Sequence, residues 1–192
     1  MTTFDSRFPT LFHVTDCAAL AGITQHGLIS AERLCGLLGA HADLGENRRR
    51  WCMLDTPVGR ATLRRQGMSD AALRSRLDPS ITLDAWRRFI NAQVFLFPTR
   101  KAALDLLRAE PARAQTIIAF TTSALRQAGC VLRFCRFNNG FIDRSPPDGR
   151  RLRHYEDYRL TDGWAPRTPI HEIVIEGGIP PTVRFDVTIP PE

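Results

Sequence analysis

Two segments far apart in the chain carry the side chains best suited to chemistry. In "PIHEIVIEGG" a carboxylate, Glu172, stands inside a strand-like run. Alternation puts it on one face with Ile170 and Val174, while His171, Ile173 and Ile175 take the other. With apolar residues on both faces the strand is expected to be central in its sheet. A carboxylate there is costly unless it is paired or lines a cleft. So placed, it can act as a general base or as the counter-charge to a cation. The alternative is an edge strand, whose inward charge discourages pairing with other chains. In "LFHVTDCAALAGITQHGL", His13 and Thr15 sit where a short strand gives way to a helix. Two donor–acceptor groups on one face beside a helix start can hold a ribose and a phosphate edge. The alternative for His13 is a hydrogen-bonded core residue.

Other chemistries lack their residues. There is no GxSxG elbow, no HExxH, and no ligand spacing among the five histidines. The five cysteines are scattered without a CxxC pair, so free thiols are expected and zinc is not. Neither GxGxxG nor GxxxxGK[ST] occurs, which removes the main support for Rossmann and P-loop readings. The 192 residues are 43% hydrophobic and 24% charged, the range of one globular domain spanning 1–192. No apolar run has membrane-spanning length and no leader peptide is evident, so a soluble cytoplasmic protein is expected. The net charge is +6, and Lys101 is the only lysine beside 25 arginines. A polyanionic partner fits that charge. The clusters Arg48–Arg50, Arg64–Arg65 and Arg150–Arg151 are read as solvated, or one as a bidentate pyrophosphate clamp.

The elements that must position these groups follow from caps and periodicity. Residues 11–14 form a strand, and Asp16 caps a helix that Gly27 stops. Ser30 precedes a second helix, Ser69 opens a short one, and Thr82 caps a fourth with Trp86, Phe89 and Ile90 on one face. Residues 41–57 read as loop. Strands are expected at 94–97, at 116–122 and in "CVLRFCRF", the last ended by an Asn-Asn-Gly turn. A helix over 100–109 separates the first two. The stretch 141–158 reads as a long surface loop. The strand of Glu172 and a final strand, "TVRFDVTI", close the chain. Helices thus concentrate in the N-terminal half and strands in the second. That is an α+β class with a split, mostly antiparallel β core.

In this order the motifs resemble ADP-ribosyltransferases, in particular the DarT group of bacterial enzymes that modify DNA bases, and within it an uncharacterised bacterial branch. The shared features are the His-x-Thr strand with its helix and "GL" stop, an Arg-rich helical insertion ("GRATLRRQGMS"), "VFLFPTR", the buried "TIIAF", "FCRFNNG" and the Glu-bearing "IHEIVIEGGIP". The resemblance implies an ADP-ribosyltransferase fold and NAD as substrate. It puts His13 and Thr15 on the ribose and nicotinamide side and Glu172 in the catalytic position. Arg64 or Arg65 takes the arginine position for the NAD phosphates or the transition state, and Asn139 falls near a family Asn turn. It further implies a nucleic-acid acceptor, a toxin or anti-phage role, and an antitoxin or ADP-ribosyl hydrolase as partner. Nicotinamide leaves from a cationic ring without a general acid, so one carboxylate suffices. The competing readings are a catalytically inactive module binding nucleotide or a protein partner, and an RNA 2′-phosphotransferase.

Overall fold

The computed structural model describes residues 2–40, 43–56, 59–66, 68–137 and 152–188. In chain order the elements are α1 (Phe4–Arg7), β1 (Thr10–Asp16), α2 (Leu20–His26), β2 (Leu28–Ile29), α3 (Ala31–Leu38), β3 (Cys52–Thr56), β4 (Gly59–Leu63), α4 (Asp70–Arg74) and α5 (Leu83–Asn91). There follow β5 (Gln93–Leu96), α6 (Arg100–Arg108), β6 (Gln115–Thr121), α7 (Thr122–Gln127), β7 (Leu132–Cys135), β8 (Arg159–Leu160), β9 (Glu172–Glu176), β10 (Gly178–Ile179) and β11 (Asp186–Thr188). The class is α+β: five of these helices precede residue 92, and all the strand pairs are antiparallel. Ser30, Ser69, Thr82 and Thr99 cap their helices as acceptors from the backbone three residues on. Asp16 caps a short 3-10 turn, Cys17–Ala19, that leads into α2.

Two sheets face each other. One has the order β1-β6-β11, the other β5-β9-β7-β8. Strand β6 buries six of its seven residues, because it is central and covered on both faces. Leu11, Ile118 and Phe120 of the first sheet meet Leu96, Leu132, Phe134, Ile173 and Ile175 of the second in the main core. On the outer face of the first sheet, Val14 and Ile117 pack on Ala103 of α6. On the outer face of the second, Val174 and Cys135 pack under α4, α5 and Tyr158. The sheets touch edge to edge at one place, where Phe12 and Phe97 exchange backbone hydrogen bonds of 3.0 and 2.7 Å. Beyond that bridge β1 and β5 part.

Three expectations are corrected. The stretch read as loop and helical insertion is a β3–β4 hairpin, with Leu54 and Leu63 packed on Cys35 and Leu38 of α3. The C-terminal part of the long loop is not a surface feature, because Asp157 and Tyr158 are buried beside the second sheet. The last strand is shorter than expected, three residues from Asp186. Asn139 and the pair Arg150–Arg151 lie outside the described residues.

Candidate functional site

At the split, β5 has a backbone edge that β1 no longer covers. His13 fills this gap: its Nδ1 lies 2.8 Å from the Phe95 carbonyl oxygen. A carbonyl only accepts, so Nδ1 carries the proton and Nε2 is left as an acceptor. The imidazole stays neutral, its pKa lowered to about 4 by burial and by the charge of Arg64, against the opposing hydrogen bond to Phe95. The split thus presents one fixed, uncharged acceptor. Thr15, half-buried, follows two residues along the same strand.

This has a consequence for stability. Between pH 6.5 and about 4 the unfolded chain takes a proton at His13 that the folded chain refuses. Stability is therefore expected to fall as the pH falls through that window, by up to about 3 kcal/mol from this group. His13→Gln should flatten that part of the stability–pH curve, read by urea unfolding. An NMR titration of His13 with a midpoint near 6.5 would overturn the assignment.

Arg64 stands at the open end of the β3–β4 hairpin, near enough for its charge to act on His13. The last hairpin pair is Cys52↔Leu63, so Trp51 and Arg64 stand level just beyond it. The Arg64 guanidinium lies 5.2 Å from the Trp51 ring centroid and that of Arg113 lies 4.0 Å from it. Glu110, after α6, ties the group together. It accepts from Trp51 Nε1 at 2.5 Å and from Arg65 Nε at 3.0 Å, and lies 3.6 Å from Arg64. Burial opposes the charge of Glu110, but these donors and cations outweigh it and hold its carboxyl below the usual range. Arg113 in turn pairs with Asp16 at the end of β1, at 2.5 Å. Burial also pulls Arg64 below the ordinary arginine range, partly offset by Glu110.

The arginines expected to be solvated divide. Arg49, Arg50 and Arg65 are exposed. Arg48 and Arg64 are not. Arg48 donates to the Arg64 carbonyl at 3.2 Å and to Asn91 Oδ1 at 2.8 Å, which pins the hairpin base to α5. Trp51 stands among these charges. Glu110, Arg113 and Asp16 were not singled out as site residues from the sequence. Their meeting joins positions 97 residues apart, and only the sequence signal of an Asp cap hinted at one of them.

Glu172 is 5% exposed and opens β9, which runs between β5 and β7. The edge-strand alternative is therefore excluded. Its partner across the ladder is Cys135, and it shares a face with Val174, away from the main core. Its charge bears on two buried neighbours. Burial first and Glu172 second push the Cys135 thiol up to about 12, and the same two causes raise the Tyr158 hydroxyl. The pair Leu96↔Ile173 puts Glu172 level with Phe97, which bridges to Phe12 beside His13. Glu172 thus lies two strand spacings from β1, on the order of 10 Å between backbones. The charge of Arg64 bears on His13, and Glu172 stands near His13 across the Phe12–Phe97 bridge.

All five cysteines carry free thiols, two of them buried. Among the described residues no group of histidine, cysteine and carboxylate side chains could hold a metal ion, and no helix is long and apolar enough to cross a membrane.

No curated protein matches the chain. Among solved structures, DarT of Thermus sp. 2.9, in complex with ADP-ribosylated ssDNA, is similar over 90% of this chain and 77% of its own, with 13% identity and a TM-score of 0.41. The profile of DUF7002, a family of unknown function, matches residues 9–185, and the chain belongs to that family.

Proposed function

We propose that this chain is an NAD-dependent mono-ADP-ribosyltransferase whose acceptor is nucleic acid. The observation that carries the reading is His13 at the split. A neutral imidazole with Nδ1 held by Phe95 has Nε2 free to accept from a ribose hydroxyl, within the field of the Arg64 guanidinium. Thr15 continues that wall toward the nicotinamide side. Arg64 is the arginine for the pyrophosphate, and Arg65, exposed beside it, holds the same phosphates in place as the ribose–nicotinamide bond breaks. Glu172 is the catalytic carboxylate. In the reaction the ribose–nicotinamide C–N bond breaks and its electron pair leaves with nicotinamide. Glu172 stabilises the positive charge that develops at the ribose carbon. As the acceptor nitrogen or oxygen bonds to that carbon, Glu172 takes its proton. Asn139 belongs to the proposed binding residues by resemblance alone. The exposed Arg49 and Arg50, next to Trp51, and the net charge of +6 support a polyanionic acceptor. A bacterial effector of this kind would act in the cytoplasm, countered by an antitoxin or an ADP-ribosyl hydrolase.

The test is incubation with NAD labelled in the adenylate and with single-stranded DNA, RNA or protein extract. Label is expected on nucleic acid, with release of nicotinamide, and both should be lost in Glu172→Gln. ADP-ribose binding by calorimetry without any turnover would replace the enzyme by a nucleotide-binding module. Transfer to protein alone would overturn the acceptor.

A further inference from the structure

The donors around Trp51 exceed the acceptors that meet them. Arg64 Nη2 and Arg113 Nε are buried and make no hydrogen bond among the described residues; Arg64 Nη2 has only the Glu110 carboxylate beyond bonding distance, at 3.6 Å. Buried N–H groups are normally satisfied, so two orphans on adjacent guanidinium groups call for acceptor oxygens from elsewhere. Three guanidinium groups, Arg64, Arg65 and Arg113, share two carboxylates, Glu110 and Asp16. The two carboxylates differ in how they are tethered. Asp16 sits in β1, fixed by seven ladder pairs, and caps the turn that follows. Glu110 comes after the end of α6, in a connection to β6. Asp16 would also give up the Ala18 N–H that it caps, whereas the Glu110 carboxylate meets side-chain donors alone among the described residues.

We propose that Arg64, Arg65 and Arg113 around Trp51 form a pyrophosphate site of a nucleotide, in which the Glu110 carboxylate is the resident counter-ion that the ligand displaces. With Glu110 withdrawn, three guanidinium charges face the one carboxylate of Asp16. The two charges left over are those that a nucleotide pyrophosphate neutralises. The indole Nε1–H of Trp51, now given to Glu110, passes to a phosphate oxygen. The proposal rests on the transferase reading only for the identity of the nucleotide. Anion binding here is independent of whether Glu172 catalyses anything.

Two measurements decide it. In the wild-type protein, titration with inorganic pyrophosphate or ADP-ribose is expected to move the Trp51 indole resonance, assigned with Trp51→Phe. By calorimetry, Glu110→Gln is expected to bind both ligands about tenfold more tightly, the gain from removing a charged competitor, and Arg113→Gln about tenfold more weakly. The indole titration needs no variant at the carboxylate and so stands if Glu110→Gln fails to fold. An indole unmoved by millimolar pyrophosphate overturns the proposal, as does Glu110→Gln binding no tighter than wild type. A resonance that responds to a single-stranded oligonucleotide and not to pyrophosphate overturns it too, in favour of a nucleic-acid contact. Label transfer can fail while pyrophosphate binding succeeds, and the reverse, so the two readings fall separately.

Discussion

Glu172→Gln is expected to lower ADP-ribosyl transfer by about 10²- to 10³-fold, the usual cost of removing a charge aimed at a transition state. The amide has nearly the volume of the carboxylate, so the place of the side chain in β9, opposite Cys135, is kept. What it removes is the negative charge and the proton acceptor. The loss should therefore fall on kcat, with ADP-ribose affinity changed far less, because the ground-state nucleotide carries no full positive charge at the ribose carbon. Glu172→Asp withdraws the carboxylate by one methylene and should recover part of the rate and no more, since the fixed strand cannot follow. Burial makes this test sharp. At 5% exposure in a central strand, Glu172 has no role as a solubilising surface charge. Nor does it guard an edge. Wild-type rates in Glu172→Gln would remove it from the mechanism outright. A matched fall in rate and in the unfolding midpoint would assign it to structure instead.

The parts of this site legible in the sequence are those whose signals are local. The strand of His13, its Asp16 cap and the Gly27 stop lie within one short run, and each has its own steric or hydrogen-bonding cause. The central position of β9 followed from apolar residues on both of its faces. The β3–β4 hairpin was missed because its pattern is weak. It buries Leu54 and Leu63 against α3, while Asp55 and Met53 stay exposed. The charged nest was missed for a different reason. Nothing near Arg48 in the sequence says that it will meet Asn91, and nothing near "LLRAEPAR" says that Glu110 will draw in Trp51, Arg64 and Arg65. Their partners come from the hairpin, from α5 and from the turn after α6, so the fold must exist before the charges can be matched. A solvated arginine and a buried one look alike in sequence, and the distinction lies in long-range contacts.

Gly27→Ala is expected to destabilise the protein by about 3 kcal/mol or more, read by urea unfolding. Gly27 has φ 84° and ψ 174°, a region open almost only to glycine. Its neighbours add a second obstacle, since a Cβ there would lie 2.2 Å from the Ile179 carbonyl oxygen, a backbone atom that cannot rotate away. The reciprocal glycine is Gly178, with φ 137°, where a Cβ would lie 2.6 Å from the Leu28 carbonyl oxygen. These are the "GL" and "GG" signals from opposite ends of the chain, and β2 and β10 bring them into one joint through the pairs Gly178↔Ile29 and Ile179↔Leu28. The joint ties the end of α2 to the strand that continues from Glu172. Because both substitutions force the same two backbones apart, their costs should not add. A double variant Gly27→Ala, Gly178→Ala should lose less than the sum of the singles, by more than about 0.5 kcal/mol. Additive losses would mean that the two glycines are needed separately, each for its own turn. A loss below about 1 kcal/mol for Gly27→Ala would mean that α2 can swing clear of β10. The position of His13 would then not be tied to that of Glu172 through this end of the molecule, and the Phe12–Phe97 bridge with the His13–Phe95 hydrogen bond would be left to hold the two walls of the split in register.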